Sequence, residues 1–310
     1  MRITFLCPPA EKLNGGIKYI FRMAEALQAD GFSAVVAEQN QRHPEWFVSA
    51  AKLIGYDALV PRNDEVLVLP EDQPELLRTL ASWPQRKIVY CQNHFYAAIG
   101  ALGSRTYADF GVSAILCGSV TIQRYCAERH AGIPVYLVPC AIDTALFKPA
   151  PAKTPEIALI PRKRPIEAIY LQDTFRHRSP QWQHVAWSPL DNLPESALAE
   201  RLGQAAVFLA LSRLDGFGLT PLEAMAAGCV VTGFTDFGGQ EYATPQNGFW
   251  AAEDDFPACL QALDEALKLW QAGDDPLAAY RANTHATVAH YTPEAFAAAA
   301  RAAWTSILYA

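Results

Sequence analysis

Long hydrophobic runs are missing from this sequence of 310 residues. The longest uninterrupted apolar stretch covers residues 205–211, far short of the roughly 20 apolar residues that a membrane-spanning helix needs. Residues 1–8 include one arginine, but they hold neither an extended apolar segment nor the small-residue cleavage site of a secretory signal. The sequence therefore predicts a cytoplasmic protein without a transmembrane segment.

Cysteine and histidine patterns typical of disulfide or metal sites are also missing. The 7 cysteines are odd in number and include no Cys-x-x-Cys pair, and most lie in or beside apolar runs, as small buried hydrophobic residues do. No two of the 7 histidines have the three- or four-residue spacing that a helical zinc site favours, since His285 and His290 are five residues apart. The sequence predicts no protein-built metal site.

Basic charge is scarce, with 25 Lys and Arg against 32 Asp and Glu and a net charge of −7. Residues 1–150 carry 14 of each sign, and residues 151–310 carry 11 basic and 18 acidic residues, so the whole excess lies in the second half. Five of those basic residues crowd together: Arg162, Lys163, Arg164, Arg176 and Arg178. Such a cluster suits a small anion, whereas a nucleic acid favours a broad positive face. The charge pattern alone leaves open a solvated basic loop, and the near-neutral first half offers no support for peripheral membrane contact.

What the sequence does contain is a hydrophobic fraction of 51%, which indicates a folded chain, and a length that favours two domains. Short apolar strand patterns alternate with helical periodicity through both halves, which predicts mostly parallel sheets covered by helices on both faces. Residues 148–155 concentrate proline and small residues, as linkers do. We therefore expect one domain at 1–150, a second at 151–292, and a C-terminal helix at 293–310.

The predicted strands of the first half are 2–7, 33–37, 65–69, 87–91, 113–117 and 135–138, with helices at 17–27, 74–82 and 120–129. The second half is predicted to contain strands at 157–160, 184–187, 206–211 and 229–232, with helices at 166–176, 195–204, 218–227 and 293–309. Each strand is followed by a loop that begins at the carboxyl end of a sheet, where functional side chains are expected.

The most informative segment spans residues 211–228. Gly216 and Gly218 follow a predicted strand, and Pro221 lies in the first turn of the next helix, where its missing N–H costs little. The N–H groups and positive dipole end of such a helix start bind anions, and open α/β sheets hold ligands at this edge. The segment predicts a phosphate site.

Two acidic residues flank the predicted phosphate site, Asp215 in the loop and Glu223 in the helix. Carboxylates repel phosphate, so their useful targets are hydroxyl groups beside it: a ribose for Glu223 and a sugar for Asp215. A purely structural interpretation stays open, in which Asp215 caps the helix and Glu223 pairs with a neighbouring base.

This segment resembles the retaining glycosyltransferase family 4, whose pattern is an acidic residue, Gly-Phe-Gly and a later Glu. The matching residues here are Asp215, Gly216, Phe217, Gly218, Leu219 and Glu223, and other segments that match in order are Asn14-Gly15-Gly16, residues 138–149, and Gly238-Gly239-Gln240-Glu241 with Gly248. Asp215 departs from the pattern, since the family more often has Glu there, and the shorter side chain suits a different sugar or weakens catalysis.

The resemblance implies an α/β protein of the GT-B architecture, with two Rossmann-like parallel-sheet domains facing a central cleft and the terminal helix crossing back to the first domain. It implies transfer of a hexosyl or deoxyhexosyl group from a nucleotide-sugar donor to a carbohydrate-type acceptor, with retention of configuration and without a bound metal or other cofactor. Gly15, Gly16, Gly216, Phe217, Gly218, Leu219 and Glu223 are the implied donor-binding residues.

A departing nucleoside diphosphate needs positive charge as the glycosidic bond lengthens. Arg162 and Lys163, directly after a predicted strand, are expected to supply it, and which of these two and Arg164 point inward stays open. His94 follows another strand end, and in resembling enzymes a histidine near this position contacts the donor sugar. The implied catalytic residues are thus Arg162, Lys163, Asp215 and His94.

Three other functions are compatible with a two-domain α/β chain. A nucleotide-sugar 2-epimerase would share the phosphate and ribose contacts but needs additional acid and base groups, of which no distinctive set is present. A non-catalytic binding or partner subunit is compatible with Asp215. A dinucleotide-dependent dehydrogenase is disfavoured because residues 6–16 lack the Gly-x-Gly-x-x-Gly pattern. The sequence identifies neither the donor sugar and nucleobase nor the acceptor.

Overall fold

The computed structural model describes residues 1–11, 13–101, 103 and 105–309, and the chain divides into two compact units. The first unit comprises Met1–Cys140 together with the C-terminal residues from Glu294 onward, and the second comprises Ala141–Pro293. Each unit has its own parallel sheet and its own hydrophobic core. In the described part of the chain, no helix is both long enough and apolar enough to cross a bilayer.

The sheet of the first unit is built, within the described residues, from β1 (Arg2–Cys7), β2 (Ser33–Glu38), β3 (Leu53–Ile54), β4 (Glu65–Pro70), β5 (Arg86–Cys91), β6 (Val112–Cys117) and β7 (Val135–Leu137). All neighbours pair in parallel, in the order β3-β2-β1-β4-β5-β6-β7. The direction of the strand order reverses between β1 and β4. Sheets of this kind hold ligands beyond the carboxyl ends of the strands at that switch point.

Helices of the first unit connect these strands: α1 (Gly15–Ala29), α2 (Pro74–Leu80), α3 (His94–Gly100) and α4 (Val120–Arg129). Each of α1, α3 and α4 begins after a polar N-cap residue. The side chains of Asn14, Asn93 and Ser119 accept hydrogen bonds from backbone N–H groups in the first turn of their helices, which satisfies donors that would otherwise lack a partner.

The sheet of the second unit consists, in the described chain, of β8 (Thr154–Leu159), β9 (Ala186–Pro189), β10 (Ala205–Leu211), β11 (Val230–Phe234) and β12 (Phe249–Ala251). The strands pair in parallel in the order β12-β11-β10-β8-β9. This is the doubly wound order in which the third strand of the unit lies beside the first. Its switch point therefore falls between β8 and β10.

The helices of the second unit are α5 (Pro165–Arg178), α6 (Glu195–Gln204), α7 (Leu219–Ala226), α8 (Asp236–Gly239), α9 (Phe256–Gln271) and α10 (Asp274–Val288). The long helix α9 buries Cys259, Leu263 and Leu267 against the sheet, at the spacing of one helical face. All seven cysteines of the chain are buried.

The last helix, α11 (Pro293–Tyr309), packs on the first unit. Trp304 is fully buried with its ring edge against Phe5 of β1, at a centroid distance of 5.8 Å, and Phe296 meets Tyr19 of α1 at 5.9 Å. Burying such aromatic side chains contributes roughly 1.5–3 kcal/mol each. These contacts explain why α11 belongs to the first unit, although the second unit directly precedes it in the chain.

Residues 148–155 are not a free linker, because they pack within the second unit. The ammonium of Lys153 donates to the backbone carbonyls of Gly203, Ala205 and Ala227 at 2.9, 2.8 and 2.8 Å, and β8 already begins at Thr154. Lys153 thus caps carbonyl groups at the ends of α6 and α7. The compact units divide between Cys140 and Ala141, earlier than the boundary expected at 150.

The strand expected at 184–187 lies instead at Ala186–Pro189, because the preceding residues complete a turn in which the N–H of Val185 donates to the carbonyl of Trp182 at 2.9 Å. The remaining predicted strands and helices are present, with bounds that differ by a few residues. The elements not predicted from the sequence are helices α3, α8, α9 and α10 and the short strands β3 and β12.

Candidate functional site

The switch point of the second sheet brings two loops together. After β8 the chain forms a 3-10 turn over Pro161–Lys163, and after β10 it forms the loop that leads into α7. Because β8 and β10 are adjacent parallel strands, their carboxyl ends open at the same edge of the sheet. The predicted cation pair, Arg162 and Lys163, and the predicted phosphate loop therefore lie at the same edge of the sheet.

Lys163 and Asp215 meet at this edge. The ammonium of Lys163 forms an ion pair with Oδ1 of Asp215, and the two side chains are 28% and 29% exposed. Both groups remain accessible to a ligand from solvent. An ion pair this accessible contributes little to stability, typically about 0–1 kcal/mol.

Asp215, the acidic partner of this pair, has a shifted pKa and a backbone held by a second carboxylate. Partial burial raises the pKa of Asp215 above its ordinary value; the charge and hydrogen bond of Lys163 oppose this shift, and the nearby carboxylate of Asp236 reinforces it. The backbone N–H of Asp215 donates to Oδ2 of Asp236, a buried residue with a φ of 53° that lies two residues after β11. A residue that follows β11 thus fixes the backbone of the loop that carries Asp215, in addition to the contacts from the end of β8.

Arg164 does not belong with the accessible cations. It is fully buried, its guanidinium forms ion pairs with Glu253 and with Asp254 at 2.6 Å, and its Nε donates to the carbonyl of Ser212 at 3.2 Å. The guanidinium also lies 4.7 Å from the ring centroid of Phe234. Arg164 therefore holds the two loops together from inside the unit.

The start of α7 has the features that the sequence predicts for an anion site. Gly218 is its N-cap with a φ of 79°, a left-handed conformation that favours glycine, and this N-cap residue provides no side-chain hydrogen bond to the helix. Asp215 is therefore not a helix cap, and the structural interpretation of this residue as a cap is wrong. The N–H groups of the first turn, beginning at Leu219, point outward from this end of the helix.

Phe217 anchors the loop, because its side chain is buried against Tyr242 and Tyr291, with ring centroids 5.8 and 5.3 Å away. Gly238 packs directly against this loop, because a Cβ atom at position 238 would collide with the backbone of Phe217 and Gly216. The predicted contact of Phe217 with a donor is thereby restricted to its backbone.

Glu223 and Arg162 are the remaining predicted site residues of the second unit. Glu223 is buried within α7, four residues after Leu219 and so about 6 Å further along the helix axis at 1.5 Å per residue. Arg162 is exposed in the 3-10 turn beside Lys163. Their assigned roles toward a ribose and a diphosphate stay predictions.

The predicted residues of the first unit gather at the carboxyl edge of its own sheet. Gly15 and Gly16 begin α1, where the N–H of Gly16 already donates to the side chain of Asn14 at 2.8 Å. The carbonyl of Gly16 accepts a hydrogen bond from Gln92 at 2.9 Å, which links this loop to the end of β5. His94 follows two residues later.

His94 is the first residue of α3, and its imidazole packs against the rings of Phe95 and Tyr125, at centroid distances of 4.1 and 5.6 Å. Nearby, burial raises the pKa of Glu71, directly after β4, to about 8, although backbone N–H groups of Gln92 and Asn93 donate to it. A contact of His94 with a donor sugar stays a prediction.

Two residues that shape the phosphate loop were missed by sequence analysis, Asp236 and Tyr242. Both follow β11, so the rule that ligand sites lie beyond strand ends was the signal that could have identified Asp236. Glu241, singled out by the family pattern, lines an open cavity of about 430 Å³ with Tyr242 and His290. Among the described residues, no three His, Cys, Asp or Glu side chains cluster as a metal-binding group.

Comparison with known proteins shows which proteins this chain resembles. Residues 184–284 match the family described as Glycosyl transferases group 1. Sucrose-phosphate synthase from Thermosynechococcus elongatus superposes with a TM-score of 0.69 at 15% identity over 100% of both chains. HepE from Anabaena, solved with UDP and glucose, superposes with a TM-score of 0.63 at 13% identity over 99% of both chains. The chain therefore has the GT-B fold, as predicted.

Among individual relatives, an alpha-1,6-glucosyltransferase from Actinobacillus pleuropneumoniae serotype 7 (strain AP76) is 27% identical over 218 residues. The match covers 66% of this chain and 64% of that protein, so the chain spans less than two thirds of the relative's length.

Proposed function

We propose that this protein is a glycosyltransferase that moves a sugar from a nucleoside-diphosphate donor to a hydroxyl group of a carbohydrate-type acceptor. The observation that carries the proposal is the convergence, at one switch point, of Lys163, Asp215 and the uncapped start of α7. An accessible ammonium beside helical N–H groups suits a diphosphate. The group 1 glycosyltransferase match over 184–284 supports the same function.

Each side chain of the site has a proposed task. The backbone of Gly216, Gly218 and Leu219 binds the diphosphate, and Glu223 accepts hydrogen bonds from the ribose hydroxyls. Asp215 accepts a hydrogen bond from a hydroxyl of the donor sugar once Lys163 turns from this carboxylate to the phosphate. In the first unit, we assign His94 to the donor sugar, with Gly15 and Gly16 beside it.

The proposed reaction breaks the bond between the anomeric carbon and the terminal phosphate oxygen, which keeps the electron pair. The positive charges of Arg162 and Lys163 offset the charge that develops on that oxygen, so that the chain itself supplies the stabilisation that a metal provides elsewhere. We also propose retention of anomeric configuration, as in family 4. Proton NMR of the product's anomeric signal tests retention, and turnover in the presence of EDTA tests metal independence.

The relatives suggest which donor to test first. The matched Actinobacillus pleuropneumoniae protein is named a glucosyltransferase, and Anabaena HepE was solved with UDP and glucose. UDP-glucose is therefore the first donor, followed by GDP-mannose and dTDP-rhamnose, which represent the other nucleobases and a deoxyhexose.

The experiment measures release of nucleoside diphosphate from each of these three donors by the wild-type chain, with water or a mixture of oligosaccharides as acceptor. We expect slow release from one donor, and loss of that release in Glu223→Gln and Lys163→Met. Binding without release would favour a non-catalytic subunit, and conversion of the donor into its C2 epimer would favour an epimerase; the comparisons favour neither.

A further inference from the structure

The segment from α8 to Tyr242 supports the phosphate loop at three separate points. The carboxylate of Asp236 accepts the N–H of Asp215, the backbone of Phe217 lies directly against Gly238, and the hydroxyl of Tyr242 donates to the carbonyl of Gly218 at 2.5 Å. The last contact is made to the N-cap residue of α7.

The hydrogen bond to Gly218 has a geometric consequence for the next residue. In a trans peptide the carbonyl and the following N–H point in opposite directions. A hydroxyl that holds the Gly218 carbonyl on the Tyr242 side therefore directs the N–H of Leu219 to the opposite side. That N–H is one of the helix-start donors without an intrahelical acceptor.

Tyr242 is well suited to hold this orientation. Its side chain is buried, and its ring packs edge-on against Phe217 and Tyr291 at centroid distances of 5.8 and 6.2 Å, so the hydroxyl has a fixed position. Burial raises the pKa of Tyr242 well above its ordinary value, so the hydroxyl stays protonated and remains a donor. Gly218 in turn leaves the approach open, since a Cβ atom there would lie 3.1 Å from the Tyr242 oxygen.

We propose that Tyr242 is a positioning residue of the donor site, whose hydroxyl aims the Leu219 N–H at the donor's diphosphate. The inference rests on the proposed function, because it requires a diphosphate at the start of α7. It assigns to Tyr242 a contribution to diphosphate affinity in addition to its packing, although the side chain need not touch the donor.

Tyr242→Phe removes only the hydroxyl, and Tyr280→Phe is the matched control. Tyr280 is another buried tyrosine of the same unit, with its hydroxyl bonded to Val231 and Asn247 at 2.8 and 3.0 Å. Calorimetric titration with UDP, GDP, dTDP and ADP identifies the diphosphate that the wild type binds, and the corresponding nucleoside is titrated beside it. Both variants are expected to melt at lower temperature.

Only Tyr242→Phe is expected to weaken diphosphate binding, by about tenfold, as the loss of one aligned hydrogen bond implies, while nucleoside binding stays within about twofold in both variants. Unchanged diphosphate binding by Tyr242→Phe, or an equal loss in Tyr280→Phe, overturns the inference and leaves the proposed function standing. A wild type that binds none of the four diphosphates overturns both.

Hydrogen exchange of the wild-type chain provides a measurement that needs no variant. We expect the bound diphosphate to protect the Leu219 amide from exchange. Unchanged exchange at Leu219 in the saturated complex overturns the inference, whether or not Tyr242→Phe folds.

Discussion

The ammonium of Lys163 forms an ion pair with the carboxylate of Asp215 across the switch point between β8 and β10. The pair joins the ends of two adjacent strands, and both side chains remain partly exposed. In the proposed function, a diphosphate that binds here would compete with Asp215 for Lys163 and leave the carboxylate to accept a sugar hydroxyl. In the proposed function, the same ion pair therefore supplies both the cation for the leaving group and the acceptor for the sugar hydroxyl.

We expect Lys163→Met to weaken diphosphate binding by about ten- to a hundredfold, since a hydrogen bond to a charged group contributes roughly 1.5–3 kcal/mol. The melting temperature should change little because the ion pair is accessible. Calorimetry and thermal unfolding measure the two effects. Lys268→Met is the control, since Lys268 forms a helical ion pair with Asp264, outside the proposed site; equal losses of affinity in the two variants would contradict the role of Lys163.

Arg164→Met should lower stability strongly and diphosphate affinity little, the reverse of what we expect for Lys163→Met. The buried guanidinium holds Glu253, Asp254 and the Ser212 carbonyl, so its loss is expected to lower the free energy of unfolding by about 3 kcal/mol. Urea denaturation measures this change. A variant as stable as the wild type would show that Arg164 does not brace the two loops.

Glu223→Gln tests the ribose contact. We expect it to weaken binding of UDP, or of whichever diphosphate the wild type prefers, by about tenfold, because an amide accepts hydroxyl hydrogen bonds less strongly than a carboxylate. The 2′,3′-dideoxy form of the same nucleotide, which lacks both hydroxyls, should bind wild type and variant equally. A loss of similar size for the dideoxy nucleotide would show that Glu223 acts on the fold or the phosphates instead.

His130 predicts a pH dependence of stability in the first unit. Its ring is fully buried, stacks on Tyr107 at 4.0 Å and accepts the Tyr107 N–H at 3.2 Å, and burial, aided by the charge of Arg129, lowers its pKa to about 4. Between about pH 4 and 6.5 the unfolded chain binds a proton that the folded chain does not, so this contribution to stability falls as the pH falls.

The loss at His130 should amount to about 3 kcal/mol at pH 4 relative to pH 7. Urea unfolding measures the free energy of unfolding of wild type and of His130→Asn at several pH values in this window. The amount by which the wild type is the more stable should decrease toward acid pH. A difference that is constant with pH would contradict a buried neutral imidazole.

The alternation of strands and helices was predictable because short buried strands and amphipathic helices each leave a local pattern in sequence. The bounds of Arg2–Cys7, Val120–Arg129 and Glu195–Gln204 agree with those predicted. Residues 148–155 show where composition misleads: proline and small residues suggested a linker, whereas Lys153 finds carbonyl acceptors in α6 and α7 that are remote in sequence.

The site was predictable to a similar extent. Gly216, Gly218 and the basic cluster follow strands, and strand ends are recognisable locally. The burial of Arg164 was not predictable, because it depends on Glu253 and Asp254, far along the chain. The same holds for Tyr242, whose hydroxyl reaches Gly218 only through the packing of an adjacent loop.

The most direct test of the account is how much more tightly the wild-type chain binds a nucleoside diphosphate than it binds the corresponding nucleoside. Calorimetry compares UDP, GDP, dTDP and ADP with their nucleosides, in the wild type and in a variant that combines Arg162→Met with Lys163→Met. We predict that the wild type binds one diphosphate about a hundredfold more tightly than its nucleoside, and that the double variant loses most of this difference. Equal wild-type affinity for every diphosphate and its nucleoside would contradict a diphosphate site at the start of α7.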